Sequence, residues 1–288
     1  MPDFPEGPSE DASVSCWRHF LCRVLTGASD VPYQEARWIL QSVLGWSGTD
    51  LLRNAGCPLP LAAGPAAMDI LRRRLQGDPL AHCLGRWSFM DLELQVSPDV
   101  LIPRPDTETL VRWAIGQMHS GKPWRVLDLG TGSGAVALAI AHAWPDAEIW
   151  AVERSVEALR IAEKNGEILG HQVHWCCGDW CAPLPQGLKF DLIVSNPPYL
   201  SDSDPHLDEL CHEPRMALVS GPEGNECFGT ILEQVRPHLQ PHTRLALEHG
   251  CDQSGFVQGL LQRHGWEDIF TLCDLAGRDR VSGGTWGR

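Results

Sequence analysis

The spacing of apolar and polar residues predicts helices in the first quarter of the chain. Between Trp17 and Leu75, apolar residues recur every three or four positions, as they do along one face of a helix. Three runs of this kind follow one another: Phe20, Leu21, Val24 and Leu25; then Ala36, Ile39, Leu40, Val43 and Leu44; then Met68, Leu71 and Leu75. Residues 14–76 are therefore predicted to form a small helical bundle.

The segments on either side of the bundle have different patterns. Residues 1–13 contain three prolines and four acids, and we expect a disordered tail there. After the bundle, Gly77-Asp78-Pro79 ends the helical spacing, and apolar residues alternate with polar ones from Trp87 to Val100. Residues 77–101 are predicted to be a linker that contains a β-hairpin.

From residue 102 to residue 288, short β-branched runs alternate with helical patterns. Asp106 is placed to cap the first of these helices. The predicted strands are Arg125 to Leu129, Glu148 to Val152, Val173 to Cys177, Phe190 to Ser195, Arg244 to Glu248 and Asp268 to Cys273, and the helices between them include Ala135 to Ala143, Ser155 to Leu169 and Gly255 to His264. Such alternation predicts an α/β domain whose mostly parallel sheet is covered on both faces.

Charge narrows the range of partners. The formal net charge is -14, and the longest cationic block is Arg72-Arg73-Arg74. A chain this acidic is repelled by a phosphate backbone unless a strong basic patch compensates. The composition therefore disfavours direct binding of nucleic acid, and the arginine run is interpreted as a solvated helix face.

Cysteine usage and the apolar runs bear on the compartment. The 11 cysteines show no paired C-x-x-C spacing, and the 12 histidines show no H-E-x-x-H pattern, so no metal site is predicted. The N-terminus lacks the cationic region of a signal or transit peptide, and no apolar run approaches the ~20 residues of a membrane span. We expect a cytoplasmic protein with free thiols and no membrane contact.

The first predicted strand ends in the glycine-rich sequence Asp128-Leu129-Gly130-Thr131-Gly132-Ser133-Gly134-Ala135. Glycines there allow a ligand to approach the backbone and the N-terminus of the next helix closely. As G-x-G-x-x-A the loop is a weak dinucleotide fingerprint, with Glu153 near the expected distance for a ribose. As D-x-G-x-G-x-G it resembles the first motif of methyltransferases that bind S-adenosylmethionine.

A second acidic position favours the methyltransferase interpretation. Gly178-Asp179-Trp180 follows the third predicted strand and offers a carboxylate for an adenine amino group and a ring to cover it. The predicted cofactor-binding residues are Gly130, Thr131, Gly132, Ser133, Gly134, Glu153, Asp179, Trp180 and Asn196. They follow the carboxyl ends of predicted strands, where open α/β sheets bind ligands.

The sequence Asn196-Pro197-Pro198-Tyr199 directly follows a predicted buried strand. Neither proline can donate to a strand ladder, so the chain must leave the sheet in a stiff corner. Such a corner suits a planar NH2 group, because Asn196 Oδ1 and the Pro197 carbonyl can accept its two hydrogens while Tyr199 packs against its plane. Asn196, Pro197 and Tyr199 are therefore the predicted catalytic residues.

Several motifs together resemble one family. They are Asn196-Pro197-Pro198-Tyr199, Ile102-Pro103-Arg104-Pro105-Asp106-Thr107-Glu108, Gly178-Asp179-Trp180, Glu213-Pro214-Arg215 and Asp274-Leu275-Ala276-Gly277. Across about Ala36 to Val281 the chain is similar to the glutamine N5-methyltransferases of peptide chain release factors, the HemK/PrmC family. The family usually has Asp where Glu153 stands.

The resemblance implies a Rossmann-like class I methyltransferase domain with a mostly parallel seven-stranded sheet. It also implies transfer of a methyl group from S-adenosylmethionine to the glutamine of a Gly-Gly-Gln motif, which leaves S-adenosylhomocysteine. Asn196, Pro197, Pro198, Tyr199 and Arg104 would bind the release factor, and the N-terminal bundle would help to dock it. We expect a monomer.

Two other functions use some of the same sequence features. Adenine-N6 and guanine-N2 methyltransferases of nucleic acids also present an NH2 group to such a corner, but they need a basic groove or a target-recognition domain. A non-catalytic scaffold of translation termination would require a damaged cofactor site, whereas every expected group is present. The acidic charge and the Ile102 to Glu108 segment favour a protein glutamine as the substrate.

Overall fold

The computed structural model describes residues 4–287 and divides into two compact units, one ending at Gly85 and the other beginning at Arg86. The first unit has one hydrophobic core and the second has two. Within residues 4–287, no helix combines the length and the apolar character that crossing a bilayer requires. The domain boundaries given above remain predictions.

Between residues 4 and 85, the first unit contains five helices: α1 (Val14–Leu25), α2 (Pro32–Leu44), α3 (Gly48–Arg53), α4 (Ala63–Leu75) and α5 (Leu80–Leu84). Local caps fix where two of them begin. Ser13 Oγ accepts the Cys16 N–H at the start of α1, and Ser47 and Asp50 form a reciprocal capping box at α3. The apolar faces of the helices make up the core, so the predicted helical bundle is confirmed.

The structure differs from the predicted disordered tail at residues 4–13. Phe4 and Ala12 pack against the core of the first unit, and the Arg72 guanidinium lies 4.9 Å from the centre of the Phe4 ring. The Leu59 N–H also donates to the Ala12 carbonyl over 3.0 Å. These apolar and backbone contacts order a segment whose composition alone indicates disorder. Residues 1–3 of that prediction lie outside the described residues.

A two-stranded antiparallel hairpin opens the second unit. Its strands are β1 (Arg86–Phe89) and β2 (Leu92–Gln95). Phe89, Leu92 and Leu94 enter a core of the second unit. The predicted hairpin is confirmed, and its alternating pattern reflects one buried face.

The seven strands of the large sheet are β3 (Arg125–Leu129), β4 (Glu148–Glu153), β5 (His174–Cys177), β6 (Phe190–Ser195), β7 (Leu239–Glu248), β8 (Trp266–Cys273) and β9 (Asp279–Trp286). Their spatial order is β5-β4-β3-β6-β7-β9-β8, and β9 runs antiparallel to both of its neighbours. This confirms the mostly parallel seven-stranded sheet. The pattern of the sequence missed β9, because Ser282, Gly283 and Gly284 give no strand signal.

Five helices cover this sheet: α6 (Glu108–Gln117), α7 (Ala135–Ala143), α8 (Val156–Leu169), α9 (Glu226–Gln234) and α10 (Ser254–Arg263). Successive strand residues enter different cores: Val126 packs with α6 and α7, whereas Leu127 packs with α9 and α10. This alternation follows from the two-residue period of a strand. The predicted two-sided α/β domain is confirmed.

The start of α6 corrects one local prediction. A 3₁₀ turn, Pro105–Thr107, precedes the helix, and no side chain caps it. Asp106 Oδ2 instead lies 3.5 Å from Arg280 Nη2 on β9. The prediction that Asp106 caps this helix is therefore wrong, because a buried arginine from a distant strand competes for its carboxylate.

Candidate active site

A cavity of about 230 Å³ opens where β3, β4, β5 and β6 end. These strands are parallel neighbours, so their carboxyl ends meet at one edge of the sheet: Leu129 pairs with Val152 and Ser195, and Val152 pairs with Cys176. Seven of the predicted site residues line the cavity: Gly130, Gly132, Glu153, Asp179, Trp180, Asn196 and Pro198. The sheet thus brings together residues up to 68 positions apart (198 − 130) in the sequence.

The glycine loop exposes its backbone to this cavity. Gly130 and Gly132 have φ values of 72° and 57°, a left-handed conformation that other residues rarely adopt. The N–H groups of Gly130 and Thr131 donate to the Val152 carbonyl over 2.9 and 3.0 Å. A Cβ atom built on Gly132 would meet nothing within 4 Å. The loop is therefore anchored to β4 and leaves space for a ligand against its backbone.

Thr131, Ser133 and Gly134 are buried within the same loop. Thr131 Oγ1 donates to Asp128 Oδ2 over 2.6 Å, and the Ala137 N–H donates to the same oxygen over 3.2 Å. Burial raises the pKa of Asp128 to about 7, although these two hydrogen bonds act in the opposite direction. These residues hold the shape of the loop, and a direct cofactor contact for them stays a prediction.

Glu153 ends β4 and ties the loop to the following helix. Its Oε2 accepts the Gly132 N–H and its Oε1 accepts the Ser155 N–H, each over 2.9 Å. A carboxylate oxygen has more than one lone pair, so both oxygens can still accept a ligand hydroxyl. Glu153 therefore shapes the glycine loop and lines the cavity, and its contact with a ribose stays a prediction.

Asp179 and Trp180 also line the cavity. The Asp179 side chain is 55% exposed, and its Oδ1 lies 3.9 Å from Arg154 Nη1, a distance at which an exposed pair contributes little. Trp180 adopts a positive φ of 46°, and its Cζ3 lies 3.7 Å from the position of a Cβ on Gly130. The indole ring thus stands beside the glycine loop while the neighbouring carboxylate remains accessible.

Asn196 leaves β6 at the cavity wall. The Ser195 hydroxyl donates to the Leu129 carbonyl over 2.7 Å and fixes the end of β6 against β3. Asn196 Nδ2 donates to Thr107 Oγ1 over 3.1 Å, so the amide turns its Oδ1 away from Thr107. Pro197 is buried, and Pro198 lines the cavity. The corner thus presents an amide side chain on a stiff backbone.

Tyr199 follows the two prolines and is held at its backbone. Its N–H donates to the Leu218 carbonyl over 3.2 Å, and its carbonyl accepts Gln253 Nε2 over 3.0 Å. Burial raises the pKa of the Tyr199 hydroxyl well above its ordinary value, and the nearby Glu248 carboxylate acts in the same direction. The hydroxyl therefore stays protonated and serves as a hydrogen-bond donor.

Glu248 is a buried acid close to Tyr199 that the sequence did not predict. It ends β7, is 1% exposed, and has a pKa raised to about 7 by burial. Within residues 4–287, its Oε2 has no partner at ordinary hydrogen-bond geometry, yet hydrogen bonding from Thr107 and Tyr199 lowers its pKa against the effect of burial. An acid that ends an apolar strand at the ligand-binding edge is a signal that could have identified it.

Arg104 belongs to a clip beside the cavity. Its Nη2 pairs with Glu213 Oε1, and Glu213 Oε2 accepts the Ile102 N–H over 2.9 Å. Glu213 is buried, and the adjacent Pro214 lines the cavity. The guanidinium therefore fastens the segment around Pro214 to the segment around Ile102. A direct role for Arg104 in substrate binding remains a prediction.

Two family descriptions match the chain. Residues 17–85 match the PrmC N-terminal domain, and residues 111–222 match the methyltransferase small domain. The release factor glutamine methyltransferase of Burkholderia pseudomallei is 42% identical over 268 residues, which are 90% of this chain and 94% of that protein. The protein of the same name from Escherichia coli is 38% identical over 275 residues, covering 94% and 99%.

Solved structures resemble the fold at lower identity. A 16S rRNA N2 G1207 methyltransferase from Thermus thermophilus, in complex with AdoMet and guanosine, matches with a TM-score of 0.53 and 20% identity over 70% of this chain and 50% of that one. A methyltransferase from Pyrococcus furiosus matches with a TM-score of 0.52 and 19% identity over 70% and 92%. These likenesses support the class I methyltransferase fold.

Proposed function

The chain belongs to the family of release factor glutamine methyltransferases, and from this premise we propose that it methylates the N5 nitrogen of the Gly-Gly-Gln glutamine in peptide chain release factors. The methyl donor is S-adenosylmethionine. One observation carries the proposal for the site: Asn196 and Pro198 of the corner line the same cavity as Gly130, Gly132 and Glu153.

The cavity walls fit S-adenosylmethionine. The backbone at Gly132 faces open space, Glu153 has lone pairs for ribose hydroxyls, and Asp179 with Trp180 offers an accessible carboxylate and a ring for an adenine. When bound, S-adenosylmethionine supplies an activated methyl group, and S-adenosylhomocysteine remains. Asn196 lies at the same wall and can contact both the cofactor and the substrate.

The corner would hold the glutamine amide. Asn196 Oδ1 and the Pro197 carbonyl accept its two N–H hydrogens, while the Tyr199 and Pro198 side chains bound its plane. An amide nitrogen is a poor nucleophile because its lone pair takes part in the resonance that gives a rotation barrier of about 18–20 kcal/mol. Holding the reacting atoms in a near-attack geometry contributes up to about 7–11 kcal/mol, so positioning is the main contribution of these residues.

The electrostatics of the corner also favours methyl transfer. As the nitrogen gains a methyl group it becomes positive, and two oxygen acceptors on its hydrogens stabilise that charge. A general base is of little use before transfer, since the amide proton becomes acidic only when the new bond forms. The corner therefore needs acceptors in fixed positions and no basic histidine.

The partner follows from the same premise. We propose that the helical unit of residues 14–76 helps to dock the release factor, that the enzyme works as a monomer in the cytoplasm, and that it makes no direct contact with nucleic acid. The net charge of -14 supports the last point, because a phosphate backbone would be repelled. Arg104 is proposed to lie beside the bound Gly-Gly-Gln segment.

Mass spectrometry tests the function directly. The enzyme is incubated with a release factor and isotope-labelled S-adenosylmethionine, and the peptide that contains Gly-Gly-Gln is sequenced. We expect a single methyl group on the glutamine and none on a Gly-Gly-Ala factor. Labelled DNA or rRNA with an unlabelled factor would instead support a nucleic-acid methyltransferase.

Asn196→Ala tests the corner. We expect turnover to fall by about 100-fold or more, because the amide acceptor that orients the glutamine is lost. The dissociation constant for S-adenosylmethionine, measured by calorimetry, should change by much less than turnover. Full turnover in this variant would contradict the proposed role of the corner.

A further inference from the structure

The orientation of the Asn196 amide depends on a neighbour outside the corner. The Asn196 amide can present either its oxygen or its NH2 group to a substrate, and only the oxygen can accept a substrate N–H. Its Nδ2 donates to Thr107 Oγ1 over 3.1 Å. Thr107 is 4% exposed and lies in the 3₁₀ turn before α6, 89 positions earlier in the chain (196 − 107). The hydroxyl of a single buried residue therefore faces the amide.

The direction of this hydrogen bond is fixed by what lies behind Thr107. A hydroxyl has one proton, so it can donate to one group while it accepts from another. The carboxyl of Glu248, which is 1% exposed, lies near enough to Thr107 for the Thr107 hydroxyl to lower its pKa against the effect of burial. Above its pKa of about 7 this carboxyl is ionised and only accepts, which directs the Thr107 proton to Glu248 and leaves the Thr107 oxygen to accept from Asn196. In that arrangement Asn196 Oδ1 points to the cavity.

We propose that Thr107 and Glu248 are positioning residues for methyl transfer: together they lock the Asn196 amide with its oxygen toward the substrate. This inference rests on the proposed function of the corner and adds two residues to it. If the polarity were reversed, the amide would present its NH2 group to the NH2 group of the glutamine. Two donors cannot bond each other, so the substrate would lose one of its two acceptors.

Charged neighbours keep these two residues in place. Arg280 on β9 is 8% exposed, and its Nη2 lies 3.1 Å from Asp274 Oδ2 and 3.5 Å from Asp106 Oδ2. The second contact ties the turn that carries Thr107 to the sheet. Arg280, Asp106 and the Tyr199 hydroxyl are the polar groups that act on Glu248 besides Thr107, and the positive charge of Arg280 favours the ionised carboxylate.

Three substitutions at one position test the proposal. Thr107→Val keeps the shape and removes the hydroxyl, Thr107→Ser keeps the hydroxyl, and Thr107→Ala removes both. Turnover of a release factor and the dissociation constant for S-adenosylmethionine are measured at about pH 8, where the acid is ionised. We expect kcat to fall roughly 10- to 100-fold in the Val and Ala variants and to stay within about threefold in the Ser variant.

The control is Thr230→Val on α9, where the hydroxyl donates to the Glu226 carbonyl of the same helix. It should leave kcat unchanged. Cofactor affinity should stay within about threefold in all Thr107 variants, because a misplaced Asn196 amide affects the chemical step. Equal loss of kcat in Thr107→Ser and Thr107→Val would overturn the proposal, since packing would then account for the effect. A near-normal kcat in Thr107→Val would also overturn the proposal.

A double-mutant cycle tests the link to Glu248. If both residues act through one hydrogen-bonded chain, Thr107→Val combined with Glu248→Gln should be no slower than the slower single variant. If the two losses of kcat multiply in the double variant, the residues act independently, and the proposed hydrogen-bonded series is contradicted. If the wild-type enzyme leaves the release factor unmethylated, the proposed function itself is contradicted. That result differs from a failure of the positioning proposal, in which the wild type is active and the variants behave otherwise than expected.

Discussion

Single side chains at the cavity have structural and ligand-binding roles at once. Glu153 was predicted to bind a ribose, and it also accepts the N–H groups of Gly132 and Ser155. A carboxylate that is already oriented by two backbone donors loses little freedom when it binds a hydroxyl. The local hydrogen bonds therefore favour the proposed ribose contact of Glu153 by holding it in place.

Glu153→Ala is expected to weaken S-adenosylmethionine binding roughly tenfold or more, because a charge-assisted hydrogen bond and the anchor of the glycine loop are both lost. Calorimetric titration measures the effect. Glu163→Ala, an exposed acid on α8, is the matched control. An unchanged dissociation constant in Glu153→Ala would count against a ribose contact.

Glu248 predicts a pH dependence of stability. Burial raises its pKa from 4.5 to about 7, so the folded state binds a proton that the unfolded chain releases between these values. The free energy of unfolding should therefore fall as pH rises through this window, by up to about 3 kcal/mol. Glu248→Gln should remove this part of the pH dependence.

Urea titrations at several pH values between about 4.5 and 7 measure the difference between wild type and Glu248→Gln. Glu233→Gln on α9, an exposed acid, provides the baseline. The difference is the relevant quantity, because groups such as His249, whose pKa burial lowers from 6.5, change stability in the opposite direction within this window. A difference that stays constant across this range would contradict the prediction.

Among the strands, β9 depends on glycine for its fit between its two neighbours. A Cβ on Gly283 would lie 2.1 Å from the Leu245 carbonyl oxygen of β7 and 2.6 Å from Phe270 Cζ of β8. The strand therefore fits between its neighbours only with glycine there. Arg280 lies at the start of the same strand and contacts Asp106 and Asp274, so the position of β9 also affects the corner.

Gly283→Ala should lower the free energy of unfolding by about 1–3 kcal/mol, because β7 or β8 must move to accept the methyl group. Gly229→Ala is the matched control: it lies inside α9, and a Cβ there meets nothing within 4 Å. That substitution should be neutral or stabilising by up to about 1 kcal/mol. Equal stability of the two variants would contradict the argument.

The side-chain amide of Asn165 joins α8 and the hairpin to the glycine loop. Asn165 of α8 accepts the Gln95 N–H over 2.7 Å and donates to the Gln95 and Ser133 carbonyls over 3.0 and 2.9 Å. It is 1% exposed, so all three bonds are shielded from water. The hairpin is thereby fixed to the loop that is proposed to bind the cofactor.

For the whole molecule, the two compact units have separate cores, and every residue that lines the cavity lies between Asp99 and Cys227. A fragment of residues 86–288 should therefore bind S-adenosylmethionine within about threefold of the full chain. Its KM for a release factor should rise if the helical unit docks that partner. Calorimetry and steady-state kinetics measure the two quantities, and an unchanged KM would contradict the docking role.

The sequence predicted the middle of the chain better than its two ends. Six strands were recognised, and the signal was strongest for β3 and β6, because buried parallel strands are nearly continuous apolar runs. Order in residues 4–13 and the strand β9 were missed, because both depend on distant partners: Phe4 on Arg72, and Gly283 on Leu245 and Phe270. Composition and spacing report local preference and carry no signal for such pairs.

By itself the sequence determined the helical bundle, the mostly parallel sheet and the residues at its carboxyl edge, since apolar period and glycine and proline chemistry are local properties. Only the tertiary structure decided which distant residues contact the residues at that edge. Thr107 contacts Asn196 from 89 positions earlier in the chain (196 − 107), and Arg280 pairs with Asp106, the residue predicted to cap a helix. Hydrogen-bond direction and the pKa of a buried acid depend on what folding places around each group.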